Sequence, residues 1–347
     1  MLKRTTVILL VSIWAAMMLL TGCSTGSSGQ GEELNSKEFF AMDTYMEIRG
    51  YEADDELLEE GVRTVQNLEK LLSTTRADSE IARINAAGTG TVTWEAEEVL
   101  SAALDLCALT EGSLDISIYP VVKAWGFTTE EYRIPADSEI SGLLEKVDFR
   151  RIDLSENGTV ALDEGMEIDL GAVAKGYAGD LLGELFRSRR ITSALFSLGG
   201  NVQCLGSKPD GSPWKVAIQD PQSEGVIGVL PVIGQAVVTS GGYERYFEGP
   251  DGETYWHIMD PATGRPAKNG LISVTIIGES GLRCDALSTA LFIMGEEKAL
   301  SFWREHREHD MFDMVLVTED NRILITEGIA GDFVPEDGMS YTIEEID

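Results

Sequence analysis

The apolar residues of this 347-residue chain recur at helical spacing in some segments and fill short strand-like runs in others, and that limits what it can fold into. Over 55–72, Leu58, Val62, Val65, Leu68 and Leu72 recur at three- and four-residue intervals, which lines them along one face of a helix. Residues 95–110 repeat the pattern, and over 172–189 Val173, Tyr177, Leu181, Leu185 and Phe186 make a third stripe. Beyond residue 190, the segments 193–198, 214–219, 226–238, 272–277, 313–318 and 322–326 read as strands, several bounded by Gly, Pro or Asp. Helices and strands do not alternate strictly, which disfavours a doubly wound parallel sheet. The expected class is α+β, with largely antiparallel sheets, packed helices and two intimate lobes.

The N-terminus carries its own instruction. Lys3 and Arg4 precede an apolar run from Val7 to Leu20 that ends at Thr21, Gly22 and Cys23. The run is shorter than the about 20 residues a permanent span needs, so a secretory signal is expected. Leu20-Thr21-Gly22-Cys23 resembles a bacterial lipoprotein signal, which predicts a signal peptide over 1–22 and a lipid on Cys23. An uncleaved N-terminal anchor is the alternative. Residues 23–36, rich in Ser, Gly, Gln and Glu, read as a flexible tether, leaving 37–347 for the globular part. The expected location is the extracytoplasmic face of the cell membrane, with the lipid as the membrane contact.

Charge excludes some partners. Without Lys3 and Arg4 the 27 basic residues become 25, against 59 acidic ones. So anionic a chain is a poor ligand for nucleic acid, and for anionic lipid through a basic patch. Cys107, Cys204 and Cys284 are widely spaced, with neither CxxC nor zinc-like Cys/His spacing, and read as small buried hydrophobes.

Neither GxxxxGK[ST] nor a strand-to-helix GxGxxG occurs. Instead, Gly-punctuated polar strings lie at the ends of expected elements: "AMDTYM", "GSLDISIYPVVKAWGF", "IDLGAVAKGYAGDLL", "SLGGNVQCLG", "VVTSGGYERYF", "HIMDPATGRP" and "CDALSTALFIMG". In the last, Asp285 and Thr289 are four apart and share a helix face, offering hard oxygens to a magnesium ion. Alternatively, Asp285 is a first-turn aspartate facing its own helix dipole. Lys175 near a helix start suits a phosphate-bearing ligand, or is a solvated surface lysine, and Asp169 could accept hydrogen bonds from the turn at Gly171. His257 ends an apparent strand before an Asp-Pro turn and is either a buried satisfied histidine or a group titrating near neutrality. His306 and His309 sit in a charged helix and are expected to face solvent.

In order and spacing these strings resemble the ApbE family of FAD:protein FMN transferases, over roughly residues 39–330. The resemblance implies a T-fold-related α+β enzyme, extracytoplasmic and often lipidated. It implies Mg²⁺-dependent transfer of FMN from FAD to a Thr or Ser hydroxyl of an acceptor protein, with AMP released. Acceptors in the family include subunits of ion-pumping electron-transfer complexes. By resemblance, Mg²⁺ is held by the side chains of Asp285 and Thr289 and the Ala172 carbonyl, with Ser288 beside them. FAD contacts are implied for Met42, Ser113, Leu114, Asp115, Asp169, Lys175 and Met259, and a proton-accepting role for His257, with Asp285 counted with it as catalytic. Two departures stand out: Met42-Asp43-Thr44 replaces the common Met-Gly-Thr, and Thr75 and Arg76 stand where an aromatic often stacks on FAD. Tyr45 or Tyr119 could substitute in that stack. An FAD pyrophosphatase yielding FMN and AMP, or a non-catalytic flavin-binding lipoprotein, remains open at this level.

Overall fold

A computed structural model describes residues 33–310 and 312–347. The signal segment, Cys23 and the tether as far as residue 32 lie outside the described residues. The first strand, Leu34–Ala41, begins inside the segment read as tether.

Nine strands form the central sheet, in the order Leu34–Ala41, Thr44–Tyr51, Ala194–Leu198, Asn201–Leu205, Ala236–Gly241, Leu271–Gly278, Asp313–Thr318, Arg322–Thr326 and Thr342–Ile346. Every pairing is antiparallel except the last, where Thr342–Ile346 runs parallel to Arg322–Thr326. The single strand expected over 226–238 is two: Val226–Val232 and Ala236–Gly241. Gly234, at φ 67°, turns the chain between them. The first pairs with Trp214–Gln219 in a separate three-stranded sheet, and the second enters the central one.

Alternate residues of the central strands bury on opposite faces. Ile276, Met314 and Leu316 face a core shared with helices Gly281–Met294 and Glu296–Asp310, while Ile277, Val315 and Val317 face Val216, Ile218 and Leu230 of the three-stranded sheet. Burial on both faces explains why these strands are apolar almost throughout. A third core gathers the first two strands with helices Asp55–Leu72, Trp94–Leu109 and Ala174–Ser188. The Gly281–Met294 helix belongs to both lobes, giving Leu282, Ala286 and Ala290 to this core and Cys284, Leu287 and Leu291 to the other. A helix apolar all round is a buried helix. Its polar residues therefore need a reason.

Part of that reason is how it meets the Ala174–Ser188 helix. A Cβ on Gly281 would lie 2.4 Å from the Gly176 carbonyl oxygen, and one on Gly176 only 2.1 Å from that of Gly281. The backbones touch, and each helix start is capped by an aspartate of the other. Asp180 accepts from the N–H groups of Gly281 (2.7 Å) and Leu282 (2.9 Å). Asp285 accepts from the Gly176 N–H (2.9 Å). These caps satisfy amides that have no partner within their own helix.

Gly281→Ala should cost about 3 kcal/mol in urea unfolding, because main chain cannot yield as a side chain can. Gly142→Ala, in a helix where a Cβ meets nothing within 4 Å, should stabilise by about 0.5 kcal/mol. Equal effects at the two positions would contradict the close-contact account.

Candidate active site

The site grows out of this helix crossing. Asp285 is 4% exposed, and burial raises its pKa against the lowering influence of Lys175 and the Gly176 N–H. That N–H lies in the first turn of its helix, where no helical acceptor precedes it, and Asp285 supplies one. The first-turn alternative for Asp285 is thus corrected: it lies in the second turn of its own helix and caps the neighbouring one. For the same reason the start of the Lys175 helix is committed to a carboxylate of the protein.

One turn on, the Ser288 hydroxyl donates to the Asp285 carbonyl (2.8 Å) and meets the Ser240 hydroxyl at 2.8 Å. Ser240 also reaches the Thr289 hydroxyl (3.2 Å). Ser240 was not singled out from sequence, although "VVTSGG" carries it. Asn201, from "SLGGN", comes near enough to Asp285 to lower its pKa, yet its Nδ2 lies outside hydrogen-bonding geometry. Among the described residues no three His, Cys, Asp or Glu side chains gather into a cation cage. The donors here are one carboxylate and three hydroxyls, which fit a hard divalent ion held jointly with ligand phosphates.

The Lys175 side chain, in the first turn of its helix, makes no hydrogen bond or ion pair among the described residues. Its charge nevertheless acts on Asp169, Glu244, His257 and Asp285, which come from four separate strings. Asp169 accepts from the Gly171 N–H (2.8 Å), as the turn reading anticipated, and burial raises its pKa against Arg245 and Lys175. Residues 168–170 are not a strand; a single parallel bridge, Ile118 to Glu167, precedes them.

His257 follows the Thr254–Trp256 strand. Its main-chain N–H donates to the Arg245 carbonyl (3.1 Å), and its Nδ1 lies 3.2 Å from the same oxygen. A carbonyl only accepts, so Nδ1 carries the proton and Nε2 keeps its lone pair. Burial first, then the charges of Arg245 and Lys175, push the His257 pKa down to about 4. The ring is neutral at neutral pH.

Other expected residues have partners of their own. Met42 and Asp43, at φ 49° and 58°, form the two-residue turn between the first two strands, and the Met42 N–H donates to Glu69 (3.0 Å). A left-handed second turn residue explains glycine in the common pattern, and why Asp is the tolerated substitute. Ser113 donates its N–H to the Thr110 carbonyl, and Leu114 is buried. Asp115 spends one oxygen on Ser117 and the other on the Phe149 N–H (3.0 Å). Met259 is buried in an aromatic cluster with Trp125 and Phe127. His306 departs from expectation: it is half-buried, stacked on Phe302 and bonded to that residue's carbonyl. His309 lies outside the described side chains. Cys107, Cys204 and Cys284 are free and buried.

The ApbE family model matches residues 42–312. A protein of Klebsiella pneumoniae (strain 342) named FAD:protein FMN transferase is 34% identical over 304 residues, covering 86% of this chain and 93% of its own. The protein of that name from Escherichia coli K12 is 30% identical, covering 91% and 97%. Among solved structures, the ApbE protein of Thermotoga maritima superposes with a TM-score of 0.80 at 30% identity, covering 85% of this chain and 98% of that one. The flavin transferase ApbE from Vibrio cholerae does so at 0.74 and 29%, covering 83% and 94%. Matched by the family model over most of its length and by relatives at 30% identity or more, the chain belongs to the ApbE family.

Proposed function

We propose that this protein is a Mg²⁺-dependent FAD:protein FMN transferase that links FMN by a phosphodiester to a Thr or Ser hydroxyl of an acceptor protein and releases AMP. The observation that carries the reading is the convergence on Lys175: one cation, its side chain without an ion pair among the described residues, acts on both the buried Asp285 carboxylate and the neutral His257. Asp285, Thr289 and the Ala172 carbonyl would hold Mg²⁺, with Ser288 and Ser240 setting the Thr289 hydroxyl. When bound, the ion supplies charge neutralisation at the pyrophosphate.

The chain's own residues do the rest. The Lys175 ammonium attracts the FAD phosphates into a molecule of net charge −32 and offsets negative charge developing on the departing AMP. Nε2 of His257 takes the proton of the acceptor hydroxyl as its oxygen bonds to the FMN phosphorus. The phosphoanhydride bond breaks, and its bridging oxygen leaves on AMP. The Leu20-Thr21-Gly22-Cys23 string supports lipid attachment at Cys23 and work on the extracytoplasmic face, where subunits of ion-pumping electron-transfer complexes would present acceptor hydroxyls.

Incubation with FAD, Mg²⁺ and a Thr-bearing acceptor, followed by weighing of the acceptor, tests the reading. A gain of one FMN is expected; free FMN and AMP with unchanged acceptor would instead identify a pyrophosphatase. Asp285→Asn keeps an oxygen for the Gly176 N–H but loses the charge, so transfer should fall at least about 100-fold with little change in melting. A chelator should stop the wild-type reaction and added Mg²⁺ restore it.

The pH profile gives a second check. His257 must be unprotonated, so activity is lost as pH falls through its pKa. The kcat/KM limb reports the free protein, near the value of about 4. Bound phosphates favour the imidazolium, so the kcat limb should lie at higher pH. Limbs at the same pH would argue against His257 as the base.

A further inference from the structure

The hairpin that carries His257 is tied at a second point. The Arg245 guanidinium donates from Nη2 to the Phe127 carbonyl (2.7 Å), in the segment after the Tyr119–Ala124 helix. The Arg245 carbonyl accepts from both the main chain and the ring of His257. Around this pair, Phe127 meets the imidazole edge-on at 6.3 Å, and Phe247 stacks on Tyr132 and Tyr255. One residue thus holds the imidazole by its carbonyl and anchors the hairpin to a neighbouring segment by its side chain.

We propose that Arg245 is the positioning residue for His257, fixing the imidazole with Nδ1 donated to the protein and Nε2 presented to the acceptor hydroxyl. The proposal rests on the proton-accepting role given to His257 above. Its electrostatics point the same way. The charges acting on His257 are Arg245, from its own hairpin, and Lys175, from the adjoining helix; Asp169 faces both cations and Glu244 faces Lys175. Both cations disfavour the imidazolium, against the favouring bond to the Arg245 carbonyl, so the Arg245 guanidinium helps keep the base neutral while its carbonyl orients it. An arginine that merely braced the hairpin would leave the titration and tautomer of His257 untouched.

Nitrogen NMR of the histidines in the full chain tests this, with the His257 signal assigned by its loss in His257→Asn. In Arg245→Gln the His257 midpoint should rise by about one pH unit and the ring should populate both neutral tautomers. Arg245→Lys keeps the charge without the forked anchor; it should hold the midpoint near wild type while the tautomers mix, and it serves if Arg245→Gln does not fold. The acidic limb of kcat/KM should move with the midpoint. A folded variant with unchanged midpoint and tautomer overturns the proposal, even if transfer is lost. Because the titration needs no turnover, a shifted midpoint in a protein that transfers no FMN would uphold the positioning role and sink the transferase reading instead.

Discussion

Everything at the site depends on two helices approaching until their backbones touch. Gly176 and Gly281 permit that contact, and no side chain could replace either without moving main chain. The approach lets Asp180 and Asp285 each cap the other's helix. A buried carboxylate is costly unless hydrogen-bonded. Here the amides at a helix start and the nearby Lys175 share that burden for Asp285. One structural bond thereby holds the Asp285 carboxylate at the start of the neighbouring helix.

The second constraint is electrostatic. A chain of net charge −32 repels an anionic substrate, so its site must be locally positive or neutral. Lys175 meets that need without an ion pair that would quench it. Asp169 and Glu244 stay within reach of its field; Asp169 is bonded to the Gly171 N–H. His257 is held neutral first by burial and then by the charges of Arg245 and Lys175.

Much of this was legible in the residues. The stripes over 55–72, 95–110 and 172–189 match helices Asp55–Leu72, Trp94–Leu109 and Ala174–Ser188 to within two residues, because helical periodicity is written locally. The strand over 226–238 was overextended: two apolar runs separated by Ile233-Gly234-Gln235 look continuous until Gly234 adopts positive φ and sends them to different sheets. The first two strands went unread, since Leu34–Ala41 is a sheet edge exposed on both faces and so lacks alternation. Asp285, Thr289 and Lys175 could be picked out by type and spacing. Ser240, Arg245 and Asn201 could not, although each lay in a quoted string, because an ordinary Ser, Arg or Asn acquires meaning only from its neighbours.

The sequence alone determined the class, the acidic balance, the excluded nucleotide loops and the family, since these reside in composition, period and ordered short strings. Tertiary structure decided what each string does. Spacing allowed Asp285 to cap its own helix; the crossing at Gly176 and Gly281 makes it cap another and meet Lys175. Spacing left His257 buried and satisfied or titratable; burial and two cations make it neutral, and the Arg245 carbonyl orients the ring through Nδ1. Hydrogen bonds and fields act over a few ångströms in space, and residues 176 and 281 are brought to that range only by packing.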